Sequence, residues 1–106
     1  MPKFLIRANY TASGAAGLLK DGGTARVAAI TALVKSGGGT VESMYWVMGA
    51  DDFILIADLP DTESAAAASL NVGASGAASC TTSELLTATQ VDDIAKRHID
   101  YRAPGA

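Results

Sequence analysis

Few residues in this chain combine a reactive type with an informative spacing. The run Gly37-Gly38-Gly39-Thr40 has the composition of a phosphate-binding loop. It follows a helical pattern and precedes a strand pattern, however, whereas phosphate loops leave a strand and open a helix. Helix termination is the simpler reading. The stretch LLKDGGTAR, from Leu18 to Arg26, is better placed: free amides where a helix restarts near Gly23 and Thr24, flanked by Lys20 and Arg26, could receive a small anion. The competing reading is a kink with solvated basic side chains. Arg7 and Asn9 lie inside a strand pattern on the parity opposite Phe4 and Ile6, where a charged group should pair at an interface or line a wet pocket. Asp58, Glu42 and Glu84 are the available partners. Tyr10, Tyr45 and Trp46 are core or interface aromatics, or, beside a polar group, a pocket wall.

His98 is the only histidine and falls one helical turn past Ile94, where a charge interaction with the carbonyl end of a helix or a packing role is expected. It has no second histidine with which to form an HxxxH or HExxH metal site, so no metal is expected. The single Cys80 cannot form an internal disulfide and reads as a buried structural thiol. No nucleophile, base and orienting group can be assembled by spacing, and no cofactor motif is present. The candidate ligand-binding residues are therefore Arg7, Asn9, Tyr10, Lys20, Arg26, Tyr45, Trp46, Asp58 and His98.

The elements that must position these residues follow from periodicity. Alternation from Lys3 to Tyr10 predicts a first strand, and TASG after it offers Thr11 or Ser13 as a helix cap. The helix meets Gly22-Gly23, where it should kink or restart with Thr24 as the new cap; Val27, Ile30, Leu33 and Val34 then form one apolar stripe up to the glycine run. Thr40 to Met48 and Asp52 to Leu59 read as an antiparallel hairpin about Gly49-Ala50-Asp51. Pro60-Asp61 opens a helix running to about Val72, a fourth strand passes through Cys80, Thr82, Glu84 and Leu86, and Thr87-Ala88-Thr89-Gln90 has the capping-box form of a last helix. The class is α+β, a ferredoxin-like β-α-β-β-α-β sandwich with an additional C-terminal helix.

Two long helices cover only one face of such a sheet. On the second strand Glu42, Met44, Trp46 and Met48 share one parity and Val41, Ser43, Tyr45 and Val47 the other; on the third, Phe53, Leu55, Ala57 and Leu59 oppose Ile54, Ile56 and Asp58. Both hairpin faces are then substantially apolar, and a second copy of the sheet is the simplest cover, in a two-fold dimer. With 106 residues the chain is one domain, 1–106, with one modest core. The net charge of −3, with both signs interspersed, leaves no basic stripe, so nucleic acid is not an expected partner beyond a weak contact through Arg7 or Arg26. No apolar run approaches the ~20 residues of a membrane span, and the start of the chain carries no apolar segment of the secretory kind, so a cytoplasmic location is expected.

Three stretches, YTASGAAGLLKDGGTAR from Tyr10 to Arg26, GADDFILIADLPD from Gly49 to Asp61 and the tail YRAPGA, resemble the GYD family of small bacterial proteins, and the resemblance covers nearly the whole chain. It implies ferredoxin-like subunits pairing as a dimeric α/β barrel. The family pattern often places tyrosine before aspartate in the hairpin; here Asp51 precedes Asp52, so a role for that tyrosine does not carry over, while Gly49 and Asp52 match as turn residues. The fourth-strand region GAASCTTSELL is more polar than the family's usual run. The expected function is that of a homo-oligomeric accessory protein binding a small, partly apolar ligand. The alternatives are a small cofactor-independent oxygenase or isomerase, using Arg7 with His98 or Tyr10, and a structural or protein-interaction module.

Overall fold

A computed structural model describes all 106 residues. Its elements are β1 (Lys3–Tyr10), α1 (Ala12–Asp21), α2 (Gly23–Ser36), β2 (Thr40–Trp46), β3 (Phe53–Asp58), α3 (Thr62–Ala74), β4 (Ala78–Leu85) and α4 (Ala88–Lys96). The strands form one sheet in the order β2-β3-β1-β4 with every neighbouring pair antiparallel. This is the ferredoxin-like arrangement expected from the element order.

Alternation along β1 buries Phe4, Ile6 and Ala8, and β3 answers with Phe53, Leu55 and Ala57. The register sets large side chains against small ones, Phe4 beside Ala57 and Ala8 beside Phe53, so the layer under the helices fills without overlap. Val34 from α2, Leu59 after β3 and Ala65 from α3 close the core against this face. The α2 stripe is only partly used. Val34 is 2% exposed but Val27 is 37% exposed, with Ile30 and Leu33 half-buried.

The first helix is capped by Thr11, whose hydroxyl accepts from the Gly14 amide at 3.2 Å. The chain then breaks at Gly22, whose φ of 82° turns it into α2; the new helix begins at Gly23 with Gly22 as its cap and no side-chain cap bond. Thr24 therefore does not cap it, because the break falls two residues earlier than that role requires. Gly38, at φ 83°, ends α2 in the left-handed conformation.

A β-bulge between Val41 and Ser43 corrects the expected hairpin faces. Before it, Val41 pairs with Ala57; after it, Met44 pairs with Leu55 and Trp46 with Phe53, so all three side chains lie on the helix side. The extra residue breaks the two-residue parity, and Thr40, Ser43 and Tyr45 are left facing outward with Ile56 and Ile54. The uncovered face is consequently narrower in its apolar content than simple alternation implies. Its centre is Leu5, Ile54 and Ile56.

Asp61 caps α3, its carboxylate accepting from the Ser64 amide at 2.8 Å, and these hydrogen bonds hold its pKa below the usual 3.8. A lowered folded-state pKa means that the cap's charged contribution is present above 3.8 and lost as pH falls through the folded value. Asp61→Asn keeps an acceptor but cannot titrate, so the melting temperature of the wild type should fall more steeply than that of the variant between about pH 5 and about pH 2. Parallel thermal melts across that range check this.

The last helix stands apart. Its capping box forms, with the Thr87 amide donating to Gln90 Oε1 at 2.8 Å and the Gln90 amide to Thr87 Oγ1 at 3.2 Å. No residue of α4 is buried. The Cα radius of gyration is 17.0 Å and the long axis 58 Å, against about 13 Å for the radius of a compact chain of this length. The helix and tail project from the body as an arm.

Candidate functional site

The candidate residues divide between the two faces of the sheet. On the helix side, α2 rests on the β2 edge and α3 on β4, and between them lies a cleft of about 420 Å3 floored by Ile6, Ala8, Phe53 and Leu55. Its walls are Ile30, Leu33 and Val34 from α2 and Ala68 and Val72 from α3. The cleft exists because α3 presents mainly small residues while the α2 stripe is not matched by large ones opposite. Only Arg26, Ser69, Asn71 and Ser75 give it polar side chains, together with the Tyr10 hydroxyl and the Cys80 thiol.

Two of the candidates, Tyr10 and Trp46, meet at one end of this cleft, and a third, Arg26, lines it. The Trp46 indole N–H donates to the Tyr10 hydroxyl at 3.0 Å, and its ring packs edge-on against Phe53 with centroids 5.3 Å apart. Gly23 lies against the Trp46 ring, since a Cβ built there would sit 3.7 Å from it. Arg26 is three residues further along the same helical face and lines the cleft. Ser69 and Thr82 share a hydrogen bond of 2.6 Å, and the Ser75 hydroxyl donates to the Val72 carbonyl at 2.6 Å, so these polar groups are already engaged.

Burial pushes the Cys80 thiol above its usual pKa of 9.0. Less of it is thiolate near neutrality, and the thiolate is the reactive form. Iodoacetamide at mildly alkaline pH should therefore label Cys80 more slowly in the native chain than in urea-unfolded chain, read by mass spectrometry over time. Equal rates would place the thiol in open solvent.

The outer face carries Arg7, Asn9, Tyr45 and Asp58. Asn9 Nδ2 donates to Asp51 at 3.2 Å and Arg7 Nε lies 4.0 Å from the same carboxylate. The expected partners are thus corrected. Asp58 and Glu42 hold Lys3 instead, at 3.0 and 2.9 Å, which raises the Lys3 pKa through its hydrogen bonds to Glu42 and then Asp58. Glu84 is in register with Phe4, on the other parity. The neighbouring Asp52 accepts from the Tyr10 amide at 2.9 Å, so the two hairpin-loop carboxylates tie the loop to the end of β1. Tyr45 is exposed and separated from Arg7 by Ile54, with which both pair.

Lys20, exposed at the end of α1, and His98, beyond the end of α4, join neither group. His98 Nε2 lies 2.8 Å from Asp100, both fully in solvent, in place of the expected contact with a helix end. Arg7 and Tyr10 occupy opposite faces, so the proton-transfer set of Arg7 with His98 or Tyr10 is not assembled. Sequence reasoning missed Lys3 as the organiser of one outer corner, although it shares the parity of Arg7. It also missed Asn71, which stands in the alanine-rich helix as the one amide beside the cleft.

Fold and cleft together define a small ferredoxin-like α+β domain with an apolar pocket on its helix side. The model of the GYD domain matches residues 4–95, and the chain belongs to the GYD family. No curated protein matches the chain. Among solved structures, the crystal structure of MtbAldR is similar with a TM-score of 0.55 and 21% identity over 97% of this chain. The match takes in 59% of that longer protein, and at this identity it speaks to the fold alone. No helix is long and apolar enough to cross a membrane.

Proposed function

We propose that this GYD domain is a self-associating binding protein that holds a small, partly apolar molecule in the cleft between α2, α3 and the sheet. The observation that carries the reading is the cleft itself. At about 420 Å3, apolar in its walls and furnished with a few polar groups at one end, it has the size and lining of a small-molecule site. No carboxylate or imidazole lines it, which favours binding over proton-transfer catalysis as its use.

Self-association is supported by two apolar surfaces that the chain does not cover for itself. One is the outer sheet face about Leu5, Ile54 and Ile56, half-buried only by their own neighbours. The other is the arm, where Val91 is 49% and Ile94 48% exposed. A second copy is the occupant that accounts for both, its sheet meeting the sheet and each arm lying on the other subunit. The arm also favours, as a second reading, a module whose only work is protein association. A cytoplasmic setting suits the lone free Cys80.

Native mass spectrometry on gently purified protein tests the proposal, since it reports subunit count and retained small molecules together. A dimer or larger species carrying extra mass is expected. A dimer that stays bare after incubation with small amphipathic molecules would leave the association module, and a bare monomer would sink both readings.

A further inference from the structure

The polar groups around the cleft are not equivalent, and their hydrogen-bond accounts specify the ligand's head group. Trp indole can only donate, so the Tyr10 hydroxyl is the acceptor in its 3.0 Å bond to Trp46, and its own O–H points to no acceptor in the chain. Arg26 lines the cleft half-buried, yet no carboxylate lies within 4.0 Å of its guanidinium and no side-chain or backbone oxygen accepts from it. The chain's other half-buried cations, Lys3 and Arg7, both have acidic neighbours. Ser69 and Ser75 are already engaged, and the Asn71 amide on α3 donates to the Ala67 carbonyl at 2.7 Å.

Two unspent donors, one of them charged, therefore stand at the Trp46 end of an otherwise apolar cleft. A guanidinium with no partner beside an apolar cleft presents a planar fork of donors that fits an oxyanion bidentately. Behind that end, Leu33, Phe53 and Val72 offer only hydrocarbon.

We propose that the cleft takes an amphipathic monoanion: a carboxylate-type head on Arg26 and the Tyr10 hydroxyl, with an unbranched or compact apolar body lying toward Leu33 and Val72. This deepens the binding function proposed above and rests on it. At ~30 Å3 per water-sized group, the volume of about 420 Å3 accommodates roughly a dozen non-hydrogen atoms, the size of a medium-chain fatty acid.

Trp46 is the only tryptophan and bonds directly to Tyr10, so its emission reports on this end of the cleft. The probes are decanoate, decan-1-ol and decylamine, which share a tail and differ in head. Decanoate should give a saturable shift in Trp46 emission at concentrations about tenfold lower than decanol, with decylamine weaker still. Arg26→Gln should bring decanoate down to the level of decanol, and Arg26→Lys should retain part of the difference. Tyr10→Phe, which keeps the ring and removes only the donor, should weaken decanoate severalfold and leave decanol unchanged, and it carries the test if the Arg26→Gln protein fails to fold by circular dichroism. Ala68→Phe, filling the cleft, should abolish the response to every probe.

Equal affinity for decanoate and decanol, or an Arg26→Gln protein that binds decanoate like the wild type, would overturn the anionic-head assignment while the cleft reading stood. A response that survives Ala68→Phe, or the absence of any saturable response, would remove the cleft reading and this assignment together.

Discussion

Replacing Gly39 with alanine should lower the stability of the domain by about 3 kcal/mol, a loss at the upper end of what overpacking a core costs. Gly39 is buried where α2 hands over to β2, its amide donating to the Val34 carbonyl at 3.0 Å. A Cβ there would overlap the Asp58 carbonyl oxygen and come 2.7 Å from Leu59 Cδ2. Neither neighbour can give way cheaply. Asp58 is backbone at the end of β3, in register with both Lys3 and Thr40, and Leu59 is completely buried. The added methyl must therefore push β2 off β3 or Leu59 out of the core. At ~4–8 °C per kcal/mol for a domain of this size, the melting temperature should drop by roughly 12–24 °C. Gly17→Ala is the matched control: nothing lies within 4 Å of a Cβ at Gly17 inside α1, so it should be neutral or gain a few tenths to about 1 kcal/mol from helix propensity. Thermal or urea melts of the two variants measure the contrast. If Gly39→Ala melts within a degree or two of Gly17→Ala, the close approach of β2 to β3 at this corner is wrong.

The same corner shows why some of the fold is legible in the amino-acid order and some is not. Alternation in β1, the glycine breaks and the Thr87–Gln90 capping box are local, and each residue carries its own steric or hydrogen-bonding reason. The bulge at Val41 and Ser43 is different. It depends on how β2 must bend to keep pairing with β3, and one inserted residue reverses the faces of everything after it. Met44 and Trp46 thereby change sides, and with Trp46 goes the end of the candidate site. The partners of Arg7 and Asn9 were equally hidden, because Asp51 comes to them from a loop whose path periodicity does not describe. The cleft left a fainter trace. The run Ala65-Ala66-Ala67-Ala68 with Ser69 gives α3 little volume to set against the α2 stripe, but whether two helices close on each other or stand apart is decided by their seats on the sheet.

Charging the arm, by the double substitution Val91→Asp and Ile94→Asp, should reduce the proposed assembly to monomer and leave the β-sheet body folded. In a single chain Val91 and Ile94 are about half exposed and α4 has no buried residue, so neither belongs to the core of the body. A helix of nine residues is also marginal in water by itself, and a capping box adds only about 1 kcal/mol. Its persistence as a helix, in this reading, depends on seating its stripe against the second subunit. The area argument points the same way. Four strands at ~4.8 Å spacing and about seven residues at ~3.3 Å make an outer face of roughly 450 Å2, well below the ~800 Å2 per partner of a stable interface. The segment from Leu86 through Val91 and Ile94 to Tyr101, exposed throughout, is what the chain has available to make up the difference. Light scattering should show the wild type as a dimer or larger species at micromolar concentration and the double variant as a monomer. The wild-type melting temperature should rise with concentration while that of the variant stays constant, because only the former gains stability from mass action. Helical signal should fall in the variant by about one short helix. An assembly unchanged in mass by the two aspartates would leave the arm free in solution and confine association to the sheet face.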